Sequence, residues 1–320
     1  MKRRDFVGAA AAWPLAGRAS VPRPKAPLRI VVPQAPGGTT DMLARMLAER
    51  LEARLGVATI VDNRPGANGL IGTGFIRRAM PDGETLLVAS TATHAIAPHI
   101  SRAAEFDPVR DFAPIVNVAW QTKVAIASLS VPATTLRDFV AYARANPGRL
   151  NYASVGMGST SHVDAELLAA ATGVKLVHIP YRGSGQAVSA VMSGEVQLLL
   201  ASVTAALGAI RAGQVRALAI LSDQRAALLP QVPTIAESGV PAPDVRNWIG
   251  LVAPAETPPP IVASFNRAVA SELADPALRA WLEQQGLEPI GGSPEAFAAT
   301  IRADVERWGA IVRRLGVHVA

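Results

Sequence analysis

The 320-residue chain contains no cysteine. That absence excludes disulfides, thiolate catalysis, Cys-ligated zinc and an amino-terminal lipid anchor on cysteine. Aromatic residues are scarce, at 5%, although half of all residues are hydrophobic. The cores must therefore be packed mainly from Ala, Val and Leu. Beyond the amino terminus no apolar run approaches the roughly 18–20 residues that a membrane helix needs. Leu198 to Ile210 comes nearest and is broken by Ser202, Thr204 and Gly208. No Gly-Lys-Ser/Thr phosphate loop occurs, and Gly66-x-x-Gly69-x-x-Gly72 is not a dinucleotide fingerprint. Nucleoside triphosphates and nicotinamide cofactors are not indicated. The five histidines lack metal-ligand spacing, so neither a metal nor any other cofactor is expected.

A surplus of charge is also missing from most of the chain. Of the formal +6, residues 1–25 supply +5, through Lys2, Arg3, Arg4, Arg18, Arg23 and Lys25 against Asp5. The remainder carries 25 basic and 24 acidic side chains, which gives no electrostatic basis for binding nucleic acid. The basic start and the short apolar run Phe6 to Leu15 read as an export signal over residues 1–25. Arg3-Arg4 followed by Asp5-Phe6 resembles a twin-arginine signal, and a basic arm that stays attached is the alternative. An exported chain of this kind is expected in the periplasm, soluble and without a lipid anchor.

What is present is a chain rich in glycine and proline, with 26 and 25 residues, and organised around Pro33-Gln34-Ala35-Pro36-Gly37-Gly38-Thr39-Thr40-Asp41. An apolar run, Leu28 to Val32, precedes this stretch. Leu43, Leu47, Leu51 and Leu55 follow it at helical spacing. It reads as strand, tight loop and helix start, where unpaired N–H groups and the peptide dipoles attract an anion. A strand over Ala58 to Asp62, a helix from Leu70 and a strand over Thr85 to Ser90 complete a βαβαβ unit. It ends in the hydroxyl-rich Ser90-Thr91-Ala92-Thr93-His94 at the carboxyl edge.

Gln121-Thr122-Lys123 lies in the passage to a second lobe, in which the opening arrangement recurs. Gly156-Met157-Gly158-Ser159-Thr160-Ser161 and Arg182-Gly183-Ser184-Gly185 each join a strand to a helix start. The proline-rich passage Leu229 to Pro243 reads as a return to the first lobe, and the tail reads as three helices, Ile261 to Leu273, Pro276 to Gln285 and Pro294 to Leu315. This divides the chain into lobe 1 (26–122 plus 225–320) and lobe 2 (123–224).

Ser159, Ser161, His162 and Asp164 superficially suggest a Ser-His-Asp set, but side chains one and two apart on a helix do not face each other. No nucleophile elbow is present either, and no catalytic residue is assigned. Binding without chemistry remains, by main-chain N–H groups at three helix starts with Ser and Thr hydroxyls beside them.

Several spaced motifs together resemble one family, the periplasmic solute-binding receptors of tripartite tricarboxylate transporters, also called Bug receptors. They include the opening loop with Asp41, Ala44 and Arg45; Asp62-Asn63-Arg64-Pro65-Gly66-Ala67-Asn68-Gly69; Pro81-Asp82-Gly83; Pro180-Tyr181-Arg182-Gly183; and Trp248-x-Gly250-Leu251. The resemblance implies an α/β fold of the type II periplasmic-binding-protein kind. It is a two-lobed clamshell, each lobe a mainly parallel sheet flanked by helices. It further implies a monomer that binds a small organic acid, mono- or dicarboxylate, and serves membrane permease subunits. An exported enzyme or sensory accessory protein on the same scaffold is the alternative. By motif, the carboxylate pocket would be Ser159, Thr160, Ser161, Gly183 and Ser184, facing Gln34, Ala35, Gly37 and Gly38 and the rim Thr91 and Thr93. Gly183 is expected to hold a backbone geometry that other residues resist. Asp41 reads as a helix-start partner for backbone or for Arg45, since a carboxylate there would repel an acid. Leu200-Ala201 and Gln197 replace acidic or aromatic residues common in the family, which leaves no obvious seat for an α-ammonium group.

Overall fold

The computed structural model describes residues 26–101, 103–241 and 245–318. The export-signal reading falls on residues 1–25, outside that set. The first run of elements is β1 (Leu28–Val32), α1 (Thr39–Leu55), β2 (Thr59–Asn63), α2 (Leu70–Arg77), β3 (Thr85–Ser90), α3 (Ala97–Ile100) and β4 (Phe112–Gln121). The second comprises β5 (Lys123–Ala127), α4 (Leu136–Ala145), β6 (Leu150–Ser154), α5 (Thr160–Thr172), β7 (Leu176–Pro180), α6 (Ser184–Ser193), β8 (Leu198–Ser202), α7 (Val203–Arg211) and β9 (Arg216–Ile220). The chain closes with β10 (Asn247–Pro254), α8 (Pro259–Leu273), α9 (Pro276–Gln284), β11 (Leu287–Gly291) and α10 (Pro294–Leu315).

The leucine repeat of α1 buries Leu43, Leu47, Leu51 and Leu55 against Leu28, Ile30 and Val32 of β1. Gly56, in the left-handed region at φ 67°, ends the helix. Two crossover helices place β2 and β3 on either side of β1, both parallel to it, as the βαβαβ pattern requires.

Two sheets result, with strand orders β11-β4-β10-β3-β1-β2 and β7-β6-β8-β5-β9. The two-lobed α/β architecture holds, but each sheet is mixed. In the first, β10 pairs antiparallel with β3 and β4, and β11 with β4. In the second, β5 pairs antiparallel with β8 and β9, while β6 lies parallel to β7 and β8. The physical reason lies in the lobe crossings. Helical crossovers impose parallel neighbours, whereas β4 runs into β5 through Thr122 alone and β10 arrives from the other lobe.

The three tail helices form as α8, α9 and α10, and a strand that the helical reading did not include lies between the last two. Gly286, at φ 71°, turns the chain after α9, and Leu287–Gly291 adds to the sheet edge as β11. The described residues of the passage expected to return to the first lobe pack on the second sheet, and Val245 still bonds to it. Ile220 donates its N–H to Pro233 O, and Val245 donates to Leu221 O. Leu229 and Val232 pack with β5 and β8, while Ile235, Val240 and Val245 join the core on the opposite face.

One helix serves both lobes. The first half of α10 packs Phe297 and Ile301 with Val31 and Trp248, and its second half packs Trp308 and Val312 with Leu136, Phe139 and Leu198. At 22 residues the helix is about 33 Å long, enough to cross from one core to the other. Among the described residues, no helix is long and apolar enough to cross a membrane.

Candidate functional site

The carboxyl ends of the parallel strands from the two lobes face a shared cleft of about 540 Å³. Gln34, Ala35, Gly37 and Gly38 line it from the β1–α1 loop, and Ser159, Thr160, Ser161, Gly183 and Ser184 line it from the β6–α5 and β7–α6 loops. These nine residues, 121 or more positions apart between the two walls, are thus brought together. Thr91 and Thr93 are not on that surface. They are fully buried because the segment winds into a π-helical turn, Thr91–Ile96. Thr91 Oγ1 accepts the Trp248 N–H at 3.0 Å. Thr93 Oγ1 accepts the Ser90 N–H at 3.1 Å and lies 2.9 Å from His94 Nδ1. Their neighbours Ser90 and Ala92 reach the cleft instead.

The first-lobe loop is held from below by Asp41. Its carboxylate accepts from Gly37 N–H at 2.9 Å, Arg45 Nε at 3.0 Å and Asn63 Nδ2 at 2.9 Å. Asn63 Nδ2 also donates to Gln34 O. Burial alone would raise the Asp41 pKa, but these hydrogen bonds outweigh it and hold the carboxyl below the ordinary range. Asp41 is therefore the helix-start partner expected of it. Gly37, at φ 85°, spends its N–H on Asp41 and contributes shape to the cleft rather than a donor.

In the second lobe, Ser159 caps α5, and its Oγ accepts the backbone N–H of His162. Ser161 Oγ lies 3.1 Å from Ser159 Oγ and accepts the Val155 N–H at 3.0 Å. The cap bonds leave the N–H groups of Thr160 and Ser161 among those a helix start does not pair internally. No triad forms. The His162 imidazole accepts the Gly158 N–H through Nδ1, and Asp164 turns to Lys123. Gly183 caps α6 at φ 175° and ψ 170°, extended backbone that any residue adopts, so the expected special geometry is absent. A Cβ at Gly183 would meet nothing within 4 Å; its small size keeps the cleft wall open. Gln197 lies away from the cleft, bonded to Asn151 N–H and Gly194 O, whereas Leu200 and Ala201 line it.

The family profile described as "Tripartite tricarboxylate transporter family receptor" matches residues 43–317. The chain belongs to this family. Protein BugT of Bordetella pertussis is 34% identical over 297 residues, which cover 92% of this chain and 91% of BugT. The structure of R. palustris Rpa4515 with adipate has a TM-score of 0.87 at 34% identity, covering 92% of this chain and 99% of that one. MatC (Rpa3494) from Rhodopseudomonas palustris with bound malate has a TM-score of 0.83 at 32% identity, with 90% and 99% covered. The relatives are solute-binding receptors, not enzymes.

Several residues of this receptor's cleft were not assigned to the site from the sequence. Lys123, Arg182, Gln121 and Asn247 all line it. Lys123 and Asn247 lie on the strands by which the chain passes between lobes, and nothing local in the sequence marks such strands as ligand-facing. Lys123 pairs with Asp164, and both side chains are buried. Burial lowers the pKa of Lys123 and raises that of Asp164, each against the pull of its partner. Among the described residues, no acidic side chain lines the cleft and no group of three or more potential metal ligands gathers anywhere.

Behind the second-lobe loop, His162 stacks on His178 with ring centroids 4.0 Å apart, and His178 stacks on Tyr152 at 4.9 Å. Ser154 Oγ, 2.6 Å from His178 Nε2, also holds Gly156. Burial, and then the neighbouring His162, lower the His178 pKa from 6.5 to about 4. A histidine whose pKa is depressed by folding contributes stability that is complete above the unfolded value and lost as pH falls. Thermal melts should therefore show declining stability from pH 6.5 down to about 4. His178→Phe, which keeps the stack and cannot be protonated, should flatten part of that decline. Buried His94, with its pKa lowered to about 3, supplies a further, more acidic part. An unchanged slope in His178→Phe would exclude this residue as a source.

Proposed function

We propose that this receptor captures a small organic carboxylate, mono- or dicarboxylic, between its lobes. It delivers the acid to membrane permease subunits of a tripartite tricarboxylate-type transporter. It works in the periplasm after export, as a monomer and without a cofactor. Residues 26–122 form lobe 1 together with most of the chain after Val245, and 123–241 with Val245 form lobe 2; the packing of Leu229, Val232, Ile235, Val240 and Val245 supports this division.

The observation that carries the reading is the convergence of three helix starts on one cleft that, among the described residues, no acidic side chain lines. Gly38 and Thr39 open α1, Ser159 and Thr160 open α5, and Gly183 and Ser184 open α6. Each presents unpaired N–H groups and the positive end of its peptide dipoles, which favours an anion. The adipate and malate bound by the relatives Rpa4515 and MatC support the same ligand class.

The test is a thermal-shift screen of mono- and dicarboxylic acids with no cofactor added, followed by X-ray scattering. At least one acid should raise the melting temperature. At saturation it should also reduce the radius of gyration, because the lobes close on the ligand about their strand crossings. Failure of every acid to shift the melt would overturn carboxylate capture, and equal radii would overturn closure.

A further inference from the structure

Asn247 is the first residue of β10, paired with Gln121 of β4 just before that chain segment enters the second lobe. It lines the cleft at this hinge end and is only 3% exposed. Neither Oδ1 nor Nδ2 of its amide has a hydrogen-bond partner. Gln34 Oε1, on the β1–α1 loop of the same lobe and also in the lining, is a second buried acceptor without a donor. Buried polar atoms are costly to leave unpaired, so two such groups in the lining of one cleft point to ligand chemistry.

A carboxylate cannot complete this set, because it offers only acceptors and satisfies neither Asn247 Oδ1 nor Gln34 Oε1. An ammonium group would supply donors, but among the described residues the charged ones in the lining are Lys123 and Arg182, both cationic. An uncharged donor matches this lining better than a cation does. A hydroxyl fits, since it donates to an amide oxygen and accepts from an amide N–H at once.

From this we infer that the ligand is a hydroxycarboxylate, its carboxylate at the helix starts and its hydroxyl against the Asn247 amide. The inference rests on the carboxylate reading above and deepens it. Leu200, Ala201 and Ile249, also in the lining, offer apolar surface for the carbon skeleton between the two polar ends.

Calorimetric titration of matched series tests it: succinate, malate and aspartate, and glutarate, 2-hydroxyglutarate and glutamate. In at least one series the hydroxy acid should bind on the order of tenfold or more tighter than its parent acid, the discrimination expected when a buried acceptor finds its donor. The amino analogue should bind more weakly than the hydroxy acid. Asn247→Leu should bring the hydroxy-to-parent ratio to within about twofold, and Asn247→Ser, which retains a hydroxyl, should restore part of it. Equal affinities for parent and hydroxy acids in the wild-type protein would overturn the inference, and that measurement does not depend on any variant folding. A wild-type ratio retained in Asn247→Leu would overturn the role of Asn247. If no acid of either series binds, carboxylate capture itself falls, an outcome distinct from binding without hydroxyl preference.

Discussion

Lys123→Met will destabilise the receptor by about 3–5 kcal/mol, the range found when one partner of a buried ion pair is removed. The loss should read as an earlier urea midpoint with little change in slope. The Lys123 and Asp164 side chains are 3% and 0% exposed, so solvent cannot replace the missing ammonium. Asp164 Oδ1 already has no hydrogen-bond partner, and once Lys123 is gone the carboxylate is left, among the described residues, to the more distant charge of Arg307. The double variant Lys123→Met/Asp164→Leu should recover most of the stability, because no charge is then left buried alone. Should the double variant be as unstable as the single, packing of the lysine stem rather than the charge pair would be responsible. The position of the pair gives it functional weight: Lys123 opens β5 at the lobe crossing, and Asp164 lies in the first turns of α5, whose start lines the cleft.

Exchanging the bound acid for its carboxamide should weaken binding by about 2–3 kcal/mol, or on the order of 30- to 150-fold. The donors at the cleft include main-chain N–H groups and hydroxyls at the starts of α1, α5 and α6. Hydrogen bonds to an ionised acceptor are roughly twice as strong as those between neutral groups, and the helix dipoles act on its charge. An amide keeps the shape but offers one acceptor oxygen and adds donors where donors already stand. Calorimetric titration of the acid and its amide, at fixed ionic strength, measures the difference. Equal affinity would mean that this cleft does not recognise a carboxylate.

Much of this molecule was legible locally. The leucine spacing of α1, the Gly-Gly and Gly-x-Gly-Ser loops and the Ser159 cap declare strands, turns and helix starts, because periodicity and capping are properties of a few adjacent residues. The lack of cysteine and the neutral body of the chain set limits on its chemistry in the same direct way, and the ordered motifs carried the family. Other features needed the tertiary structure. A hydroxyl-rich segment does not say which way its side chains turn, and the π-helical winding sends Thr91 and Thr93 inward while Ser90 and Ala92 face the cleft. A glycine next to a helix start does not say who takes its N–H; Asp41 takes that of Gly37, and Gly183 proves to be ordinary extended backbone. Lys123 meets Asp164 across 41 residues of sequence. Asn247 reaches the cleft because β10 inserts between β3 and β4 from the far end of the chain. Such contacts depend on how strands are ordered within the sheets, which no local pattern encodes, and in this receptor the strands that cross between lobes are the ones that decide the floor of the site.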